Sequence, residues 1–312
     1  MSGAATLSAL FRAAILRAAD NPRLQKLVRR YGMRLGAARF VAGETLDECV
    51  VVLRKLNEAG LQANTTLLGE EIPNAQGAAA AVAAYEEILD RLAAEQLRAN
   101  VALKLTHLGL SFDEETAYSN LARLAAHAEE LGMFIRIDME QSAFVDPTLR
   151  SYERLRAAGH ENVGVVLQAY LYRSPDDLER ILPLEPNVRI VKGAYLEPAA
   201  IAYPEKRDVD AAYIRLVERG LEGGAYVAVA THDERIIRDV QAFAERKGIG
   251  RDRFELQMLY GVRPGLQREI ASAGYKVLVA TPFGPDWYPY LMRRLAERPA
   301  NLLFFLRNLV RR

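Results

Sequence analysis

NVALKLTHLGLSFDEETAYSNLARLAAHAEELGMFIRIDM, residues 100–139, changes its hydrophobic period twice. NVALKL (100–105) reads as a strand. Residues 113–131 space their apolar side chains three and four apart and read as a helix. Gly132 supplies a stop, and MFIRIDM (133–139) reads as a second strand. Strand, helix, strand in that order lays the two strands side by side and parallel, joined by a crossover helix.

The same alternation continues on both sides. Further strands are expected at LQANTTLL (61–68), NVGVVLQ (162–168), VRIVKG (188–193), AYVAVA (225–230), RFELQM (253–258) and YKVLVA (275–280). Helices are expected near 75–96, 146–158, 174–182, 208–222, 232–247, 263–273 and 286–297. Eight βα pairs over about 250 residues match the count and length of an α/β (βα)8 TIM barrel. No glycine-rich phosphate loop follows the first strand, which argues against a doubly wound sheet. Residues 61–312 are read as the barrel, with a C-terminal helix. Residues 1–60 are read as a helical N-terminal extension. There TLSALFRAAILRAA and TLDECVVVLRKLNEAG carry helical spacing, Thr45 and Glu48 form a capping box, and Gly60 is a stop.

The chain has 312 residues, half of them hydrophobic, and a net charge of +1. A nearly neutral chain has no global field with which to collect nucleic acid, so no nucleic-acid partner is expected. The single cysteine, Cys49, makes no intrachain disulfide, and the cytoplasm is the expected location. No apolar run approaches a membrane span. The start, MSGAATLSALFRAAILRAADNP, is similar to a transit peptide in its arginines, but reads more simply as an amphipathic helix ending at Asn21-Pro22.

In barrel enzymes the chemistry lies at the C-terminal ends of the strands. Those ends offer Glu70, Lys104, Asp138, Glu140, Gln168, Arg189, Lys192, Thr231, His232 and Asp233, and the eighth helix adds Arg293 and Arg294. Each taken singly reads as an ion pair, a helix cap or a solvated face. Together they put several cations on one rim of a nearly neutral chain, which favours an anionic ligand. The four histidines form no HxxxH pair and no cysteine joins them, so no metal is expected. No GxSxG nucleophile is present. A Schiff-base lyase using Lys104 or Lys192 stays open on these residues alone.

Eight strings, in this order and spacing, resemble the monofunctional bacterial type of the proline dehydrogenase family. They are LGE (68–70), LKLTHLGL (103–110), IDME (137–140), VVLQAYLYRSPDDL (165–178), VRIVKGAYLEP (188–198), VATHDERII (229–237), FELQMLYGVRP (254–264) and PFGPDWYPYLMRRLAERPANL (282–302). The resemblance covers about the last four-fifths of the chain. It implies a distorted barrel binding FAD noncovalently. It further implies oxidation of L-proline to Δ1-pyrroline-5-carboxylate in proline catabolism to glutamate, with hydride passing from C5 to flavin N5. The electrons would go to a membrane quinone, which places the protein in the cytoplasm or peripheral to the inner membrane. Pyrroline-5-carboxylate dehydrogenase as a partner, and a homo-oligomer, are left open.

Carried over residue by residue, the resemblance gives the proline carboxylate to Lys104, Arg293 and Arg294. Arginine's planar paired donors suit a carboxylate's two oxygens, and lysine adds a point charge. Asp138 would sit beside these cations and offset part of their charge. Glu70 would pair with Arg293 as a gate, and Tyr195 and Leu259 would line the ring. For the cofactor, Arg189 would lie near N5 and Gln168 at the pyrimidine edge. Val191, Lys192, Gly193 and Ala194 would approach the flavin or its ribityl-phosphate arm. Thr231 and His232 would reach the pyrophosphate and adenosine, and Glu297 would steady the arginine pair.

Two positions depart from the family pattern. A tyrosine that packs on the substrate ring is replaced by Ala280, and an aspartate before LGE by Thr66. A wider pocket follows, so a bulkier cyclic amino acid such as hydroxyproline is the alternative substrate. The C-terminal NLLFFLRNLVRR reads as a helix covering the barrel or a subunit contact, with a basic membrane foot as its rival.

Overall fold

The computed structural model describes residues 21–69 and 71–297. Eight strands close into a barrel in chain order, every neighbouring pair parallel and the last returning to the first. They are β1 (Gln62–Leu67), β2 (Ala99–Leu103), β3 (Ile135–Ile137), β4 (Val163–Gln168), β5 (Asn187–Val191), β6 (Tyr226–Ala230), β7 (Phe254–Leu259) and β8 (Val277–Phe283). All eight fall where the sequence pattern puts them. Two ends differ for local reasons. A 3-10 turn over Leu105–Leu108 ends β2 early and leaves Lys104 as the first residue past the strand. β8 runs three residues beyond Ala280, because Thr66 and Leu67 of β1 pair with Pro282 and Phe283.

The period of two sorts each strand into two faces. Val163, Val165 and Leu167 of β4, and Val188 and Ile190 of β5, are buried in the main hydrophobic cluster, which the sheet shares with its helices. Those helices are α3 (Ala75–Ala94), α4 (Glu114–Glu130), α5 (Val145–Ala157), α6 (Ser174–Ile181), α7 (Lys206–Glu222), α8 (Glu234–Lys247) and α9 (Pro264–Ser272). The alternate residues, among them Asn64, Arg136, Arg189 and Gln257, belong to the inward face and are buried as well. Asn74, Asp113 and Asp233 cap α3, α4 and α8 by accepting from backbone N–H groups of the first turn.

Ahead of the barrel lie α1 (Pro22–Leu35) and α2 (Leu46–Glu58). The Thr45–Glu48 capping box forms at the start of α2. α2 packs on β1 and β8, with Cys49 Sγ 3.3 Å from Thr65 Oγ1. The link before it pairs with the end of β8: Ala42 N donates to Pro282 O at 2.8 Å, and Gly284 N to Gly43 O at 3.0 Å. The eighth barrel helix, α10 (Trp287–Glu297), packs against α1 in a second, smaller cluster. The expected first helix, the C-terminal helix and Glu70 lie outside the described residues. No described helix is long and apolar enough to cross a membrane.

Candidate active site

The C-terminal ends of all eight strands open into one cavity of about 950 Å³. Its wall takes Asn64 and Thr66 from β1, Lys104 beyond β2, and Asp138 and Met139 beyond β3. It continues through Val166 and Gln168 on β4, Arg189 and Val191 on β5, Ala230 and Thr231 at β6, Gln257 and Leu259 on β7, and Ala280 and Pro282 on β8. Tyr290, Arg293 and Arg294 of α10 complete it. A space this size, apolar over most of its wall with a few convergent polar groups, suits an extended organic ligand.

Helical geometry explains how α10 presents its arginines. Trp287, Tyr288, Leu291, Met292 and Leu295 are buried and form one stripe. Residues 290, 293 and 294 fall on the other face and line the cavity. Arg294 stacks over the Tyr290 ring, its Cζ 5.2 Å from the centroid. Lys104 lines the same cavity, and also a smaller one of about 240 Å³ that it shares with Arg293, Tyr195 and Glu140.

Arg189 sits at the cavity floor. It is 9% exposed, and its guanidinium NH2 donates to Asp138 Oδ1. Burial pulls it below the usual arginine range and nearby Arg136 adds repulsion, but arginine's proton affinity is high enough to keep the charge. Its Nε has no hydrogen-bond partner among the described residues. Burial pushes the Tyr195 phenol up to about 12, with Glu140 adding to the shift and Arg293 opposing it. Glu140 is itself buried and raised by burial; its carboxylate accepts from Thr106 Oγ1 at 2.7 Å.

The remaining predicted residues carry structural bonds too. Gln168 Nε2 donates to Glu140 O at 2.8 Å. His232 Nε2 accepts from Leu259 N–H at 2.8 Å. Lys192 Nζ lies 2.5 Å from Asp210 and 3.9 Å from Asp233. Gly193 has φ +111, and a Cβ there would stand 2.2 Å from the Tyr170 ring, so glycine is required twice over. Asp138 pairs with Arg189, a partner that the resemblance did not give it. Glu297 is the last residue of α10, and its side chain lies outside the description.

A sequence model of the family described as Proline dehydrogenase matches residues 49–307. The chain belongs to the proline dehydrogenase family. That membership makes it an oxidoreductase. It is 43% identical over 306 residues to the Deinococcus radiodurans proline dehydrogenase, covering 97% of this chain and 98% of that one. Against proline dehydrogenase 1 of Bacillus subtilis it is 40% identical over 293 residues, with 94% and 97% covered. A crystal structure of proline utilization A (PutA) from Bdellovibrio bacteriovorus, inactivated by N-propargylglycine, superposes with a TM-score of 0.81 at 25% identity. That likeness covers 92% of this chain and 36% of the longer one.

Within this member of the family, further residues line the cavity that sequence alone did not single out. Lys206, Arg235, Arg238 and Arg263 line the cavity beside Lys192 and the start of α8. Arg235 and Arg238 stand three apart at a helix start, which reads as an ordinary solvated face until the barrel turns it toward the mouth. Gln257 lies inward on β7, and the period-two pattern of FELQML was the signal for it.

Proposed function

We propose that this chain oxidises L-proline to Δ1-pyrroline-5-carboxylate with noncovalent FAD. What carries the reading is that one cavity joins two separated sets of cations. Lys104 and the α10 arginines lie on the β1–β2–β8 side, and Lys192, Lys206, Arg235 and Arg238 on the β5–β6 side. One set suits a carboxylate and the other a pyrophosphate, with the N-terminus of α8 adding its own anion preference. FAD suits this wall: the backbone turns at Gly193 with φ +111, where no side chain stands between it and a ligand, and Arg189 brings a buried cation to the floor between the two sets.

When bound, FAD supplies the hydride acceptor at N5, and the electrons go on to a quinone. The chain's own residues position and exclude. Lys104, Arg293 and Arg294 fix the carboxylate, which sets the ring's distance and angle. Tyr195 and Leu259 flank the ring. Asp138 holds Arg189, whose charge favours electron density arriving beside it. α10 lies over the mouth and keeps water out. Val191, Lys192, Gly193, Ala194, Gln168, Thr231 and His232 hold the cofactor. Glu70 as gate and Glu297 as brace for the arginines complete the proposal. Pyrroline-5-carboxylate dehydrogenase is the class of enzyme that consumes the product.

Ala280 favours a second substrate reading. It lines the cavity near Asn64 and Thr66, small residues that leave space where a tyrosine would stand. Hydroxyproline is therefore the alternative. A lyase is less well supported, since Lys192 is engaged by two aspartates.

The absorbance spectrum of the purified protein tests the cofactor, and anaerobic L-proline tests the substrate. Flavin bands that bleach with L-proline are expected. Colourless protein that takes up no FAD would sink the reading. Bleaching by hydroxyproline but not by proline would move the substrate. Borohydride trapping of a carbonyl compound on Lys104 or Lys192 would favour the lyase.

A further inference from the structure

The barrel interior carries more charge than a packed core needs. Arg136, Glu255 and Gln257 are 1%, 2% and 4% exposed, on the inward faces of β3 and β7. Glu255 Oε2 accepts from Tyr226 Oη at 2.8 Å and lies 2.9 Å from Lys276 Nζ. Its Oε1 accepts from Gln257 Nε2 at 2.7 Å. Gln257 Oε1 in turn accepts from Arg189 Nη1 at 3.4 Å. Arg189 then reaches Asp138 at the mouth. One chain of polar groups thus runs from Lys276, at the closed end of the barrel, to the cavity.

Chemistry fixes the sense of that chain. An ionised carboxylate only accepts and a guanidinium only donates, so the amide between them has one orientation: nitrogen to Glu255, oxygen to Arg189. Apolar residues at 255 and 257 would fill the same space with less desolvation. They would not hold Arg189 from below. Asp138 pulls the guanidinium toward the mouth, and Gln257 tethers it to the floor. Glu255 also faces Arg136, whose Nη1 donates to Asn187 O at 2.7 Å and whose charge acts on both Glu255 and Arg189.

We propose that Gln257, backed by Glu255, is a positioning residue that fixes the Arg189 guanidinium at the cavity floor and sets the positive field felt by bound flavin. The proposal rests on the FAD reading above. The two residues act with opposite signs. Loss of the Gln257 amide frees Arg189 to turn wholly toward Asp138, whose carboxylate then offsets more of its charge and weakens the field at the flavin. Loss of the Glu255 charge leaves two buried arginines less compensated, which strengthens it.

The test is the midpoint potential of the flavin in FAD-loaded wild type, Gln257→Met and Glu255→Gln, with FAD content and proline kinetics alongside. Gln257→Met should lower the potential and cut kcat about tenfold, a fraction of what losing a direct donor costs. Its KM for L-proline should stay within about twofold, since the carboxylate clamp is untouched. Glu255→Gln, nearly identical in shape, should raise the potential. Either variant holding FAD at the wild-type potential would overturn the proposal, as would shifts of the same sign or a lower Tm with potential unchanged. Wild type that binds no FAD would fail the cofactor reading instead, and the two failures are thereby distinguished.

Discussion

The floor of the cavity and the helix above it are held by different packing. The floor residues stand on strands, each hydrogen-bonded to two neighbours and backed by the main cluster, where Leu103, Ile137, Val165 and Ile190 are fully buried. The arginine helix rests on a cluster of its own. Trp287, Tyr288, Leu291, Met292 and Leu295 pack on Val28, Ala37, Phe40 and Val41 from the segment ahead of the barrel. Trp287 Nε1 donates to Glu44 Oε1 at 2.5 Å, and a Cβ on Gly32 would stand 2.7 Å from the Trp287 ring. A closed barrel cannot shift one strand without breaking ladders on both sides. A helix seated on a neighbouring helix is free of that constraint. Under the proposed function, cofactor geometry would then belong to the sheet and substrate affinity to the contact between α1 and α10.

The largest effect expected comes from truncating one leucine in each region. Leu103→Ala should cost about 2–5 kcal/mol of global stability in denaturant unfolding and loosen FAD. Leu291→Ala, equally buried, should leave FAD content intact and raise the proline concentration needed for bleaching. Equal loss of FAD in both variants would break the comparison.

His107 lies where the two regions meet, beside Gly69 and next to Lys104. It is buried, with Nδ1 3.1 Å from Tyr85 Oη, and burial together with the Lys104 charge pulls its pKa from 6.5 down to about 4. In the unfolded chain it takes a proton near 6.5, while in the fold it stays neutral to about 4. The stability it confers is thus complete above pH 6.5 and is lost as pH falls toward 4. At about 1.4 kcal/mol per unit, that is about 3 kcal/mol. His107→Gln should flatten unfolding stability measured between pH 7 and pH 4. An unchanged slope would show that His107 already titrates normally.

The smallest effect is expected from Glu44→Ala, which removes the Trp287 hydrogen bond and costs about 1 kcal/mol. It should appear in the apparent affinity for proline before it appears in FAD content.

Much of this was legible in sequence, for identifiable reasons. Strands buried on both faces read as apolar runs, and Gly132, Gly224 and Gly274 mark the helix ends before three of them. The strand-end candidates followed from barrel geometry alone. The ion pair between Asp138 and Arg189 did not. Period two sends both residues inward, but they stand on strands that are not neighbours, and only the closed sheet sets their distance. The support of α10 was equally hidden. Glu44 and Trp287 are 243 residues apart, and nothing local in either segment announces the other.

The most direct measurement is an anaerobic titration of FAD-loaded Arg294→Met with L-proline, followed by flavin absorbance. If the sheet holds the cofactor and α10 holds the carboxylate, FAD content stays at the wild-type level. The proline concentration for half-bleaching then rises by about thirtyfold or more, as expected for losing about 2–5 kcal/mol of charged hydrogen bonding. Half-bleaching at the wild-type concentration, or loss of FAD with proline affinity unchanged, would contradict the account.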